Sequence, residues 1–288
     1  MKKIVMAVVA LLLAGSGYAQ TEISYSQIIK NPVWVNPAVQ GLNKGVSLDL
    51  AYRRQWDGFE GAPKTVGFNL NNSFDRIHLG VGVDGHFEEA GLRKNRRFAI
   101  NLNTEVRLSK NSFLMFGLSG GVDMRRYKSF GETNLDEDFS QYRSEYECES
   151  FVGGFGLAYH WKGLLVGASG NLTLLKKEGV SNMSAVYVHA RYRFEVGKRW
   201  TVSPMALYAY NSYFDEYEEV GILGGYNDWI DAGVSYRFNR FVSIMIDLKV
   251  LDFFSIGYNY NVNTGGTYDM SNGTHEFALR FAFNGKKK

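Results

Sequence analysis

The sequence predicts an all-β fold, a transmembrane antiparallel up-and-down β-barrel of fourteen strands in a bacterial outer membrane. Three observations lead there: an N-terminal export signal, long segments with an apolar residue at every second position, and connections that alternate between short and long.

The first nineteen residues read as a secretory signal peptide. Lys2 and Lys3 form its basic start, residues 4–13 are an unbroken apolar run, and Gly17-Tyr18-Ala19 puts small residues at the −3 and −1 positions before Gln20. The run is too short to span a bilayer, and no cysteine follows the cleavage site to carry a lipid. The expected organisation is a signal peptide over 1–19, a periplasmic N-terminal segment or plug over 20–44, a barrel over 45–285 and a basic tail over 286–288.

Composition fits an exported β protein. Aromatics make up 15% and Gly is frequent at 32 residues, against 4 Pro. Cys148 is the sole cysteine, so no intramolecular disulfide forms. After the signal no segment approaches the ~18 apolar residues of a membrane helix. A net charge of +3, spread evenly, does not point to nucleic acid as a partner.

From Val46 onward the period is two. Phe98, Ile100, Leu102, Thr104, Val106 and Leu108 alternate with Ala99, Asn101, Asn103, Glu105 and Arg107. Val242, Ile244, Ile246, Leu248 and Val250 alternate in the same way with Ser243, Met245, Asp247 and Lys249. Such segments run about 9–13 residues, where soluble sheets use about 5–6. About ten residues of tilted strand cross a bilayer. The predicted strands are 45–55, 64–72, 77–87, 97–108, 112–126, 149–161, 163–172, 184–196, 200–211, 217–226, 228–238, 241–250, 253–262 and 274–284.

An even count places both barrel ends in the periplasm, with short periplasmic turns and longer outer loops. The connections at 73–76, 109–111, 162, 197–199, 227 and 251–252 are short, whereas 127–148, 173–183 and 263–273 are long. One outer connection, 239–240, is short and breaks the parity. Strands in hydrocarbon must close, because an open edge leaves backbone groups without partners. Trp161, Trp200, Trp229, Tyr192 and Phe238 fall near strand ends, where aromatic girdles sit. Pro204 lies inside the ninth strand and cannot donate to the ladder, so a bulge or a later strand start is expected there.

The opposite register carries charges of both signs: Asp49, Arg53, Asp84, Glu105, Arg107, Asp123, Arg125, Arg191, Arg193, Glu195, Arg237, Asp247, Lys249, Glu276 and Arg280. Balanced charges can fill a lumen as a network. Inward Gly80, Gly82, Gly117, Gly121, Gly154 and Gly156 leave room for something bulky. A filled barrel is therefore favoured over a passive solute channel of the porin kind, which stands as the alternative. The five histidines show no metal-ligand spacing, and no G-x-S-x-G nucleophile motif occurs. His78 and His86 with Asp84 read as polar lumen residues rather than a hydrolytic site. Asp136-Glu137-Asp138, with Asp215, Glu216, Glu218 and Glu219, lacks the spacing of a calcium loop and reads as solvated. The expectation is a protein without enzymatic activity, cofactor or metal, in contact with the lipid bilayer.

The segment Asn31-Pro32-Val33-Trp34-Val35-Asn36-Pro37-Ala38, followed by Gly41, resembles the N-P-x-x-x-N-P-A-x-x-G opening of the PorP/SprF family. Tyr52-Arg53-Arg54-Gln55-Trp56 and Gly61-Ala62-Pro63-Lys64-Thr65 are similar to its Y-R-x-Q-W and G-A-P-x-T blocks. Gly257-Tyr258-Asn259-Tyr260-Asn261 and Gly273-Thr274-His275-Glu276-Phe277 are similar to its G-Y-S-Y-D and G-S-H-E-I, with Asn259, Asn261 and Thr274 departing from the pattern. The resemblance implies an integral outer-membrane component of the type IX secretion system. Its implied partners are periplasmic ring or motor proteins, or secreted adhesins and other cargo carrying a C-terminal sorting domain, in some members with a part in gliding motility. On the residues alone the blocks read as architectural. The two Asn-Pro pairs suit a rigid turn into strand one, Gly61-Ala62-Pro63 shapes the first outer loop, and Trp56 serves as a girdle residue or a loop anchor.

Overall fold

In a computed structural model, the protein is described over residues 25–42, 44–74, 76–127, 146–175, 183–211, 214–264 and 271–283. The segments 1–24, 128–145 and 284–288, on which the expected signal peptide, the acidic stretch at 136–138 and the basic tail fall, lie outside these.

Fifteen strand segments form one antiparallel sheet: β1 Gly45–Arg54, β2 Lys64–Phe74, β3 Leu79–Ala90, β4 Arg93–Ser109, β5 Ser112–Tyr127, β6 Tyr146–Trp161, β7 Leu164–Leu175, β8 Met183–Tyr192, β9 Phe194–Val196, β10 Trp200–Asn211, β11 Phe214–Tyr226, β12 Ile230–Arg237, β13 Phe241–Leu251, β14 Phe254–Asn263 and β15 Thr274–Phe283. Sequence neighbours pair throughout, except that β8 and β9 both lie against β10, and β15 returns to pair with β1 from Val46↔Phe283 to Arg54↔His275. The sheet is thus a closed barrel. β8 and β9 are two parts of one strand, so the strands number fourteen.

The period of two becomes a two-sided wall. Ile244 is 52% exposed, while Met245 beside it is 1% exposed. The exposed set, including Ile100, Leu102, Leu118, Phe155, Ile222 and Val234, is the face that meets lipid. The inward set is polar on some strands and apolar on others, with Met115, Ala158, Leu165, Met205, Leu207 and Met245 forming a buried surface inside the lumen.

Two expectations are corrected by the strand geometry. No bulge forms at Pro204, and its strand starts at Trp200 as predicted. Met205 pairs with Arg191 and Val202 with Phe194, so the register is continuous across the gap that separates β8 from β9. What is missing is one donor: Pro204 has no N–H to offer Tyr192, the residue facing it in that register. The ladder lapses for two residues without slipping. The outer connection between β3 and β4 is also a tight turn at Gly91-Leu92, with Gly91 at φ 56. The strands β4, β5 and β6 run 17, 16 and 16 residues, against 10 for β1, β14 and β15.

Inside the barrel lie residues 25–42. They form three short 3-10 turns, η1 Ser26–Ile29, η2 Pro32–Trp34 and η3 Pro37–Leu42. Pro32 and Pro37 each open a turn, where a missing N–H costs nothing, and each restricts the Asn before it to non-helical backbone. Segments this short bury no amphipathic stripe of their own. Their apolar residues Tyr25, Ile28, Ile29, Val33, Trp34, Val35, Ala38 and Val39 pack against the apolar inner wall as a single cluster. The segment crosses the lumen from end to end. Ser26 sits by Asn261, near the outer end of β14, and the chain descends to Gly45 at the rim of short turns.

Candidate functional site: the plug and its latch

Glu276 on β15 is the centre of the outer half of the plug. Its carboxylate, fully buried, accepts the backbone N–H of Ser26 at 2.8 Å and of Gln27 at 3.1 Å, and the Asn259 amide at 3.2 Å. A carboxylate at the first N–H groups of η1 satisfies donors that a short helical turn cannot. The Arg53 guanidinium, its cross-strand neighbour on β1, stands 3.8 Å away with Thr65 of β2 on its other side. Asn261 donates to Ser26 Oγ at 2.6 Å. The Tyr25 hydroxyl, buried beside the Glu276 carboxylate, lies 3.4 Å from His86 Nδ1.

One turn further on, Lys30 Nζ lies 2.6 and 2.7 Å from the two oxygens of Asp247. A Cβ at Gly257 would stand 2.3 Å from Asp247 Oδ1, so the glycine clears the path of this carboxylate. Arg191 donates to Lys30 O at 2.7 Å, and Asn31 donates to Asp49 at 3.2 Å. Charged side chains hold the N-terminal part of the plug, Ser26 to Asn31, from β1, β8, β13 and β15.

The other end is held by shape. Asn36, fully buried, directs its side-chain amide at the carbonyls of Leu157 and Ala168, both at 3.3 Å, and at His189 Nε2 at 3.0 Å. Its own Oδ1 accepts the Ala38 N–H at 2.9 Å, which fixes the Asn-Pro-Ala turn. Ser169 donates to Val35 O at 2.8 Å. Glycines complete the seat: a Cβ at Gly117 would stand 2.3 Å from both Ala38 N and Pro37 C, and one at Gly156 2.1 Å from Asn36 Oδ1. Gly41 continues η3 toward β1.

The remaining signature blocks form a collar at the outer rim. Gln55 N–H donates to Pro63 O at 2.9 Å, Ala62 N–H to Phe59 O at 3.3 Å and Gly91 N–H to Gly61 O at 2.8 Å. Asp57 and Gly273 join the first and last outer loops at 2.9 Å, and Trp56 N–H reaches Thr274 Oγ1 at 3.2 Å. Trp56, Gly61 and Gly273 hold positive φ of 50, 72 and 83, which sets these tight turns. Trp56 thus anchors the first outer loop to β15. Tyr258, Tyr260 and His275 are on the outward register instead. There Tyr258 Oη and His275 Nδ1 are 2.8 Å apart and Phe277 packs alongside.

Several sequence readings change. His78 is exposed at the turn rim beside Glu105, while His86 is buried against Tyr25 and Trp34, so the two form no common site. Glu219 is not a solvated loop residue. It is fully buried on β11, accepts from Arg237 at 2.7 Å and from Ser235 at 2.6 Å, and Arg237 in turn lies 3.9 Å from the centroid of Tyr217. The cue for this pair is register: Glu219 alternates with Tyr217, Gly221 and Leu223, all inward. The anchoring roles of Lys30, Ser169 and His189 had no motif to announce them. Among the described residues no group of three or more His, Cys, Asp or Glu could hold a metal ion.

A family model described as type IX secretion system membrane protein PorP/SprF matches residues 17–281. No curated protein sequence matches the chain. Similar solved structures are outer-membrane barrels. They include the Acinetobacter baumannii outer membrane protein Omp33, at 8% identity and TM-score 0.50 over 84% of this chain and 100% of that one. A Pseudomonas aeruginosa FadL homologue has 10% identity and TM-score 0.51 over 86% and 93%. The CymD monoaromatic hydrocarbon channel has 10% identity and TM-score 0.53 over 94% and 95%. Likeness at these identities concerns the fold.

Proposed function

This chain belongs to the PorP/SprF family of type IX secretion system membrane proteins, and we propose that it supports secretion or surface anchoring of large cargo proteins or adhesins through protein–protein contacts, without enzymatic activity. The observation that carries this reading is the plug. Residues 25–42 occupy the lumen from the outer end of β14 to the turn rim, bonded to at least six strands and packed into a single apolar cluster with the wall. A barrel so filled is a poor conduit for solutes and a rigid support for its rims. The hydrogen-bonded collar at 55–63 and 271–274 then presents fixed backbone to partners at the outer face, and the turn rim does so toward the periplasm. Cargo with a C-terminal sorting domain and ring or motor proteins of the secretion machine are the partners this reading names, and adhesins of gliding motility are one class of such cargo.

The test is deletion of the gene followed by an assay for large adhesins at the cell surface. Loss of at least one adhesin from the surface, restored by the wild-type gene, is expected; unchanged display of every cargo would refute the reading. Purified protein in planar bilayers should give no steady ion conductance. A stable open conductance would shift the assignment to a solute channel.

A further inference from the structure

The rim of short turns divides into two electrostatic halves. Neighbouring turns joining β2–β3, β4–β5, β6–β7 and β9–β10 carry Arg76, Lys110, Lys162, Lys198 and Arg199, all exposed. The other two turns, β11–β12 and β13–β14, carry Asp228 and Asp252 and no cation of their own. Those two acids already have partners in Arg193 and Lys249. The five cations of the first half have no ion pair among the described residues. In that half Glu105 is engaged by His78, and Glu195 falls on the inward register of its strand. Asp75 lies outside the described residues.

The cations also have a position. Arg76 follows Phe74 and precedes Ile77, Lys110 follows Leu108, and Arg199 adjoins Trp200, each neighbour being a large exposed apolar side chain. Lys162 lies 5.2 Å from the centroid of the Trp161 ring. A side chain at the end of the lipid face marks the acyl boundary, and a cation one or two residues beyond it stands at phosphate height. Docking of a protein on the turn tips needs no such apolar neighbours. We propose that this basic arc binds the phosphodiester headgroups of anionic phospholipids in the leaflet facing the turns. The arc spans the side of the barrel from β2 to β10, so bound lipid would hold that side against the headgroup layer while the acidic side stays free.

The test uses the full-length protein in detergent, offered phosphatidylglycerol or phosphatidylcholine, with retained lipid counted by native mass spectrometry. Wild type should retain phosphatidylglycerol in preference. A variant carrying Arg76→Gln, Lys110→Gln, Lys162→Asn, Lys198→Gln and Arg199→Gln should lose at least about fivefold of that preference; Asn is used at 162 because that position has φ 51. Asp228→Asn with Asp252→Asn, which frees Arg193 and Lys249, should not lower it. Heat-modifiable migration on SDS gels reports that each variant is folded, and Lys198→Gln with Arg199→Gln serves as a milder pair should the full set misfold. Equal retention of the two lipids by wild type, or an unchanged preference in the basic-arc variants, overturns the proposal. So does a rim that shows no lipid preference yet loses an acidic periplasmic protein on substitution.

Discussion

The two ends of the plug are secured by different physics. Its N-terminal part, Ser26 to Asn31, is gripped by ionised side chains: Glu276, Asp247, Arg191 and Asp49. Its inner end, around Asn36 to Gln40, sits in a mould of glycine and small residues on β5, β6 and β7. The first depends on charge with little regard for wall volume. The second depends on wall volume and involves no ion pair. A filled lumen can therefore be lost in two independent ways, and only one of them is visible as a charged motif.

Substitutions at each end separate these terms. Glu276→Ala removes the acceptor of two backbone N–H groups and takes from the buried Arg53 its ion-pair partner. It should cost about 3–5 kcal/mol, read as a lower urea midpoint for the heat-modifiable form and as new trypsin cleavage after Lys30. A wild-type midpoint would mean that the carboxylate is not the anchor. Gly117→Val changes no charge but drives a side chain into the Pro37–Ala38 backbone. Overpacking of this kind costs about 1–3 kcal/mol, and Gly117→Ala should fall between it and wild type; equal midpoints for all three would show that the plug does not bear on this wall. The smallest effect is expected away from both ends. Pro204→Ala supplies the N–H that the β8–β10 ladder lacks and should add about 0.5–1.5 kcal/mol of stability, read as a higher urea midpoint. A decrease would mean that proline is favoured there for another reason.

How far each end was legible follows from the same contrast. Strand period and loop parity are local, so Val242 to Val250 or Phe98 to Leu108 declare their faces without knowledge of the rest. Glu276 and Arg53 could be marked as inward from register alone. What they touch could not, because Ser26 and Gln27 lie 250 and 249 residues away in sequence and in turns with no period. Gly117 and Gly156 could be read as room for something bulky, but not as the seat of Asn36 to Ala38. Tyr258, Tyr260 and His275 sit within signature blocks yet face lipid, since strict alternation within a motif sends its residues to both sides of the wall. Glu219 reads as solvated because charge clusters usually are, although it falls inside the predicted strand 217–226; its alternation with Tyr217, Gly221 and Leu223 is what turns it inward.

Glu276 also sits on the strand that closes the barrel. It faces Arg53 across the seam between last and first strands, so the pairing that seals the cylinder is the pairing that brings the plug its acceptor. Assembly therefore has an order. A chain whose final strand has not arrived can hold its N-terminal segment at Asp247, Arg191, Asp49 and the glycine mould, but the backbone N–H groups of Ser26 and Gln27 are still unmet. Completion of the hydrogen-bonded circle and immobilisation of the interior become one cooperative event, and a half-zipped intermediate cannot retain a fully seated interior.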